Sequence, residues 1–212
     1  PAAVGLMRTA PAIGVALLLL TWAVSLVVGY DVVADVAPTR AGLSPSMAHW
    51  LGCDHLGRDV FWRLVTASEA FVGPGLLACM VCLLLGGIPG GLSGWLGGRW
   101  SGVLRYLFSV IASLPRFVLV LLFCAIYGDS SVFLALAAGL AYAPTLGEAL
   151  AGRIAAMRRS EFVLAARAHG MSDAAVLTRE LLWSNCRALV ARHLLYLFGY
   201  FLILETTLSY IG

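Results

Sequence analysis

An all-α fold that crosses a membrane several times is what this sequence predicts, on three observations. Of its 212 residues 61% are hydrophobic and only 12% charged, where soluble domains carry roughly 45–50% apolar and about 25% charged residues; the mean hydropathy is +0.92. The apolar residues come in runs of about 20, the length at which a helix crosses hydrocarbon with every backbone N–H and C=O satisfied internally. The polar residues gather in two regions, 31–68 and 153–187, between those runs. All fourteen basic residues are Arg.

The first apolar run, residues 12–28 (AIGVALLLLTWAVSLVV), follows Arg8 and has no small-residue cleavage signature, so it reads as an anchor within an N-terminal segment 1–30. Residues 31–68 form a polar segment containing HWLGCDHLGRDVFWRL at 49–64. His49, Asp54, His55 and Asp59 there have the donor types that suit nickel or zinc. Asp54 or Asp59 equally suits the cap of a helix containing Phe61 and Leu64. The second run, 71–95, carries Gly73, Gly75, Gly86, Gly87, Gly90, Gly91 and Gly94 with Pro74 and Pro89. Glycines allow helices to approach closely, so this span is expected among neighbours. Cys79 and Cys82 make a CxxC, but with no His or acidic residue nearby in sequence they read as packing residues.

The third run, 103–127, holds Pro115 and Arg116 in its interior, the fourth, 132–150, holds Pro144 and Glu148, and the fifth, 188–208, ends near Glu205. A charge in hydrocarbon is expensive, so Arg116, Glu148 and Glu205 should face protein, water or each other. For Glu205 a pairing role within the bundle is favoured over substrate contact; Arg116 is expected near an interface. The expected count is therefore five spans. With the start inside, inside segments carry Arg8, Arg99, Arg105, Arg153, Arg158, Arg159, Arg167, Arg179, Arg187 and Arg192, and outside segments carry Arg40, Arg58 and Arg63. Arginine bias of this kind places the N-terminus in the cytoplasm. The chain would then stop outside at LSYIG, which raises the expectation that a sixth span is missing at the C-terminal end.

The cytoplasmic region contains EFVLAARAHGMSDAAVLTRELL at 161–182. Phe162, Ala165, Ala166 and His169 recur at helical spacing as one small apolar face, with Glu161 in the first turn. Gly170 ends that helix, since glycine readily takes the left-handed conformation. Ser172 caps a second short helix, with Asp173 favourable at its N-terminus. In that helix Ala174, Leu177 and Leu181 share a face, opposite Asp173 and Glu180. Periodicity alone leaves an amphipathic loop on the bilayer surface equally open.

EFVLAARAHGMS followed by a hydrophobic helix resembles the EAA loop of ABC importer permeases, with Ala165, Ala166 and Gly170 on the pattern. HWLGCDHLGRDVFWRL resembles the segment before the second span in the peptide and nickel branch, through Asp54, Gly57, Arg58 and Asp59. LETTLSYIG at 204–212, GGLSGWLGG at 90–98 and SLP at 113–115 are similar in order. Three positions depart from the pattern: Leu164 stands where an acidic residue usually begins the EAA core, Trp183 where a proline follows the second helix, and Ser109 where the third span is commonly acidic. The exit angle after the second helix is thereby open.

The resemblance implies a type I importer permease bundle, with a permease core at 69–212 that includes a coupling loop at 151–187. It implies a second homologous permease subunit, two cytoplasmic ABC ATPases holding ATP and Mg, an extracytoplasmic substrate-binding protein and the bacterial inner membrane. No cofactor, metal or nucleic acid is expected on this chain. Its coupling residues would be Glu161, Phe162, Ala165, Ala166, His169, Gly170, Ser172 and Asp173. The LGRD core also occurs in peptide permeases that carry no metal, which favours the cap reading of Asp54 and Asp59. Di- or oligopeptide and nickel substrates both stay open. The chain has no GxxxxGK[ST] loop and so no nucleotide site of that kind. The rival reading, a membrane scaffold or intramembrane enzyme, requires in its enzyme form a catalytic pair at one depth, and no span shows a recognisable one.

Overall fold

The computed structural model describes residues 14, 16–27, 37–128 and 130–211, and these fall into two compact units that meet at Gly73 and Pro74. Among the described residues the fold is helical, with one isolated bridge between Cys53 and Asp59.

In the first unit, α1 runs Ala16–Ser25; the edges of the expected first span lie outside the described residues. A 3₁₀ turn at Pro38–Arg40 opens a loop that leads to α2, Val60–Leu96. The start of α2 is set by Asp59, whose Oδ1 accepts from the Phe61 N–H at 2.8 Å and the Trp62 N–H at 3.3 Å. That cap places the helix start eleven residues before the apolar run expected from 71, because the amphipathic stretch FWRLVTAS continues the same helix.

In the second unit, α2 widens into a π-helical turn at Leu83–Gly87 just before Pro89, which has no N–H to offer the preceding turn. α3 is Gly98–Ala112, α4 Arg116–Tyr127, α5 Ser131–Met157, α6 Glu161–Ala168 and α7 Asp173–Tyr210. Helix α5 is the centre: 61% of its apolar window is buried, against 33% for α2 and 17% for α7. Ser130 caps it through a hydrogen bond from the Phe133 N–H.

The seam between α2 and α5 is built from small residues at a spacing of four. A Cβ on Gly86 would strike the Ala143 carbonyl, one on Gly90 the Gly147 carbonyl, and one on Gly94 would lie 2.7 Å from the Ala151 oxygen. Gly139 repeats the contact from the other side against Ala78 and Val81. Bilayer helices gain little from hydrophobic contrast with lipid and associate through such close packing, so the glycine-rich run is used as expected. Cys82 is fully buried and Cys79 nearly so, both within the main apolar cluster.

Among the described residues three helices, α2, α5 and α7, are long and apolar enough to cross a membrane, or four segments if the bent pair α3–α4 counts as one. The expected single span at 103–127 is broken: α3 and α4 meet at 78°. The cause is Ser113-Leu114-Pro115, since proline denies the helix an N–H and disfavours helical geometry at the residue before it. The expected short second cytoplasmic helix also differs. No proline interrupts residues 173–210, so that helix runs without a stop into the last span, with a π-helical stretch at Val176–Cys186.

Candidate functional site

The corner between α6 and α7 is set by backbone hydrogen bonds. Gly170 has φ of +83°, a conformation few other residues accept. Its N–H donates to the Arg167 carbonyl at 2.9 Å and the Met171 N–H to the Ala166 carbonyl at 3.1 Å. This pair of bonds is the Schellman helix stop, which brings the residue after the glycine against the helix's last turn. Ala166 and Met171 accordingly both pack on the buried cluster. Ser172 Oγ then accepts from the Ala175 N–H at 3.3 Å, capping α7, and Asp173 Oδ1 pairs with Arg167 across the corner at 3.0 Å.

The helix faces differ from the sequence expectation in two respects. Phe162, Ala165 and His169 are exposed, but Ala166 is half-buried and Val163 fully buried. Ala166 therefore belongs to the inward side with Val163, three residues apart, rather than to the outward apolar face. Glu161 is exposed in the first turn, where its charge suits the helix dipole. On α7, Leu177 and Leu181 are buried as expected, joined by Val176, whereas Ala174 is exposed.

The end of α2 secures the corner from behind. Arg158 Nη1 donates to the Trp95 carbonyl at 2.7 Å, and the Arg167 guanidinium stands 4.8 Å over the Trp95 ring. With Leu96, Arg159, Leu164 and Asp173 these side chains line a hollow of about 550 Å³. Trp95, Arg158 and Met171 were not singled out from sequence. A Trp at the end of a glycine-rich span facing a run of arginines was the available signal for the first two.

Within the bundle, Ser131 Oγ donates to Glu205 Oε1 at 2.6 Å, so Glu205 joins α7 to the first turn of α5. Arg116 donates through Nη2 to Thr145 Oγ1 at 2.7 Å and stands 4.8 Å over the Tyr142 ring. Tyr142 meets the His193 ring edge-on at 6.4 Å. Glu148 is exposed.

In the first unit, the loop 49–59 spends its carboxylates on structure. Asp54 Oδ1 accepts from the Leu56 and Arg58 N–H groups at 2.8 and 3.0 Å, and Oδ2 from Arg58 Nε at 3.0 Å and Arg63 Nη1 at 2.6 Å. Burial pushes the Asp54 carboxyl up, but the Arg58 and Leu56 N–H groups and the Arg58 guanidinium outweigh it and bring it down to about 2. Asp59, the α2 cap, also holds His49 Nδ1 at 2.8 Å. Gly57, at φ +77°, lies so close to the Ala37 carbonyl that no Cβ fits. Among the described residues no three His, Cys, Asp or Glu side chains come together as a metal set.

No protein-family model matches the chain. Curated relatives do. The probable D,D-dipeptide transport system permease protein DdpC of Escherichia coli K12 is 29% identical over 170 residues, 80% of this chain and 57% of the relative. The dipeptide transport system permease protein DppC of Alkalihalophilus pseudofirmus is 27% identical over 180 residues, covering 84% and 59%. The nickel transport system permease protein NikC of Escherichia coli K12 is 31% identical over 152 residues, covering 72% and 54%. The chain thus spans somewhat over half the length of these relatives.

Proposed function

We propose that this chain, which belongs to the peptide and nickel family of ABC transport permeases, forms half of a translocation pathway for di- or oligopeptides or nickel and takes its driving motion from cytoplasmic ATPases. It is a multi-pass membrane protein. In this reading a second homologous permease supplies the other half, an extracytoplasmic binding protein delivers the ligand, and two ATPase subunits hold ATP and Mg. The chain itself carries out no chemistry; its N-terminus lies in the cytoplasm of a bacterial inner membrane. Residues 1–30 anchor it, 31–68 face outward, and 69–212 form the core with the coupling segment at 151–187.

One observation carries this reading. The α6–Gly170–α7 corner is tied to the bundle by Ala166, Met171 and the Arg158–Trp95–Arg167 contacts, yet it leaves Phe162, Ala165 and His169 exposed on its outer side. A rigid projection with a small apolar outer face suits docking into a groove, and a rigid-body shift of that groove is the kind of two-state motion that rearranges packed helices. Ser172 and Asp173 hold the projection's shape at the start of α7, and the Glu161 charge suits the dipole at the start of α6.

The test uses Ala165→Glu, which puts a charge on the outer face, and Gly170→Val, which strains the left-handed corner. Both variants should insert in the membrane, since no span changes. Both should lose copurifying ATPase, or keep it while ATP hydrolysis no longer drives uptake in proteoliposomes. Attachment and coupled uptake at the parent level in both variants would leave these helices a bilayer-surface loop and overturn the reading.

A further inference from the structure

Arg116 and Glu148 are charges on α4 and α5 that no opposite charge among the described residues neutralises. Thr145, which receives the Arg116 hydrogen bond, is the fifteenth of the 27 residues of α5. At 1.5 Å per residue it lies about 20 Å from either end of that helix. The guanidinium is therefore held at the middle of the central span, on a hydroxyl and a tyrosine face, and among the described residues no carboxylate pairs with it. Glu148 lies one turn further along α5 and is exposed, with no hydrogen bond or ion pair among the described residues. Thr145, Glu148 and Gly152 occupy the face of α5 turned away from the seam formed by Ala143, Gly147 and Ala151. The chain thus presents one positive and one negative group on an uncovered face at mid-span, each without an opposite charge of its own.

A charge at that depth is retained where it meets water, a partner or a solute. We propose that Arg116 and Glu148 are the two poles of a station in the translocation pathway that receives a small zwitterion. The solute's carboxylate meets Arg116 and its ammonium meets Glu148. The scale is compatible: Thr145, which holds the guanidinium, and Glu148 are three apart on α5, about 5–6 Å between Cβ atoms, and an extended dipeptide spans about 7 Å at 3.3–3.6 Å per residue. Arg116 supplies a planar fork for a carboxylate, and its fixed positive charge disfavours a bare divalent cation at the same place. The Tyr142 ring, buried and braced by His193, fixes the guanidinium from behind; His193 Nδ1 itself donates to the Leu189 carbonyl at 3.1 Å. The station rests on the transport reading and narrows its substrate to short peptides over free nickel.

The experiment measures equilibrium binding to the purified complex of permeases and ATPases, without binding protein. The ligands are a labelled dipeptide, its C-terminal amide, its N-acetyl form and Ni²⁺ alone. The parent should bind the zwitterion at least tenfold more tightly than either blocked form and should not bind Ni²⁺ at this site. Arg116→Gln should weaken the zwitterion about tenfold and leave the amide within twofold, Glu148→Gln should do the same for the zwitterion against the N-acetyl form, and Arg116→Lys, which keeps the charge but not the planar fork, should recover only part of the loss. Equal losses on all ligands would make the pair structural and overturn the proposal. Absence of zwitterion preference or of saturable binding in the parent, or Ni²⁺ binding abolished by Glu148→Gln, would also overturn it. The transport reading is judged separately, by ATPase copurification and by ATP hydrolysis stimulated by the binding protein. Loss of those sinks both readings, whereas their presence with any overturning result above sinks the station alone.

Discussion

Gly90 and Gly91 are neighbours on α2, and an alanine at each should have opposite effects. A Cβ at Gly90 would lie 2.5 Å from the Gly147 Cα and 2.8 Å from its carbonyl carbon. These are backbone atoms that no rotamer change can move. Restoring ordinary contact requires α2 and α5 to part by about 1 Å at the centre of their seam, in an interior packed like a crystal. Overpacking of this kind costs about 1–3 kcal/mol, and the alanine returns only about 1 kcal/mol of helix propensity. Gly90→Ala should therefore lose up to about 2 kcal/mol. At Gly91 the nearest atoms are the ends of the Ile154 and Leu182 side chains, each at 3.8 Å. Gly91→Ala should therefore keep the propensity gain and come out neutral or more stable by up to about 1 kcal/mol. Thermal unfolding of the purified protein in detergent reads the difference, at about 2–4 °C per kcal/mol for a chain of this size. Two variants shifted in the same direction by the same amount would refute the claim that backbone approach holds the seam.

Ala166→Glu should behave unlike Ala165→Glu, because Ala166 packs on the buried cluster; it should lower the yield of folded protein as well as ATPase attachment, a difference visible by size-exclusion chromatography. Replacing Cys79 and Cys82 together by Ala should leave uptake nearly intact and cost about 1 kcal/mol of stability from lost packing, and both thiols should resist maleimide until the protein unfolds. Asp54 should make the loop acid-sensitive in a defined window. Its folded pKa of about 2 lies below the ordinary value near 3.9, so its stabilisation is present above pH ~4 and lost as pH falls through about 2. Tryptophan fluorescence from Trp50 and Trp62 should follow that change, and Asp54→Asn should remove the transition.

The Gly170 corner was legible in the sequence because left-handed geometry admits few residues besides glycine, and Ser172 behind it has the side chain a cap requires. The seam was legible as a run of glycines, but not its partner, since Ala143, Gly147 and Ala151 lie in a segment that reads as an ordinary apolar span. The break at Pro115 was misread because a hydropathy window averages over three residues, while the bend depends on one missing N–H. Ala166 was placed on the outer face because helical spacing groups residues without saying which direction is inward. The Schellman bonds and the buried Val163 set that direction, and both depend on the fold. The π-helical stretch 176–186 has no sequence signature in these terms.

The same connectivity links the corner to the middle of the bundle. Helix α7 starts at the Ser172 cap and continues without a break through His193 and Glu205 to Tyr210, a run of 38 residues, or about 57 Å. Helix α5, which holds Arg116 through Thr145, ends at Met157, three residues before α6 begins. Both walls of the Arg116 cluster are thus continuous with the two arms of the corner. A displacement of the corner reaches them along hydrogen-bonded helices rather than through a flexible loop. The π-helical stretch of α7 lies between the corner and His193. Turns of this i→i+5 kind are rare and recur at functional sites. In the proposed mechanism the span beyond that stretch moves as a unit, carrying His193 relative to Tyr142, while Glu205 remains tied to Ser131 at the far end of α5. In that mechanism α7 would pivot about its C-terminal end, with the largest relative motion at its N-terminal end, diminishing toward Glu205. The Arg116 cluster sits between those limits.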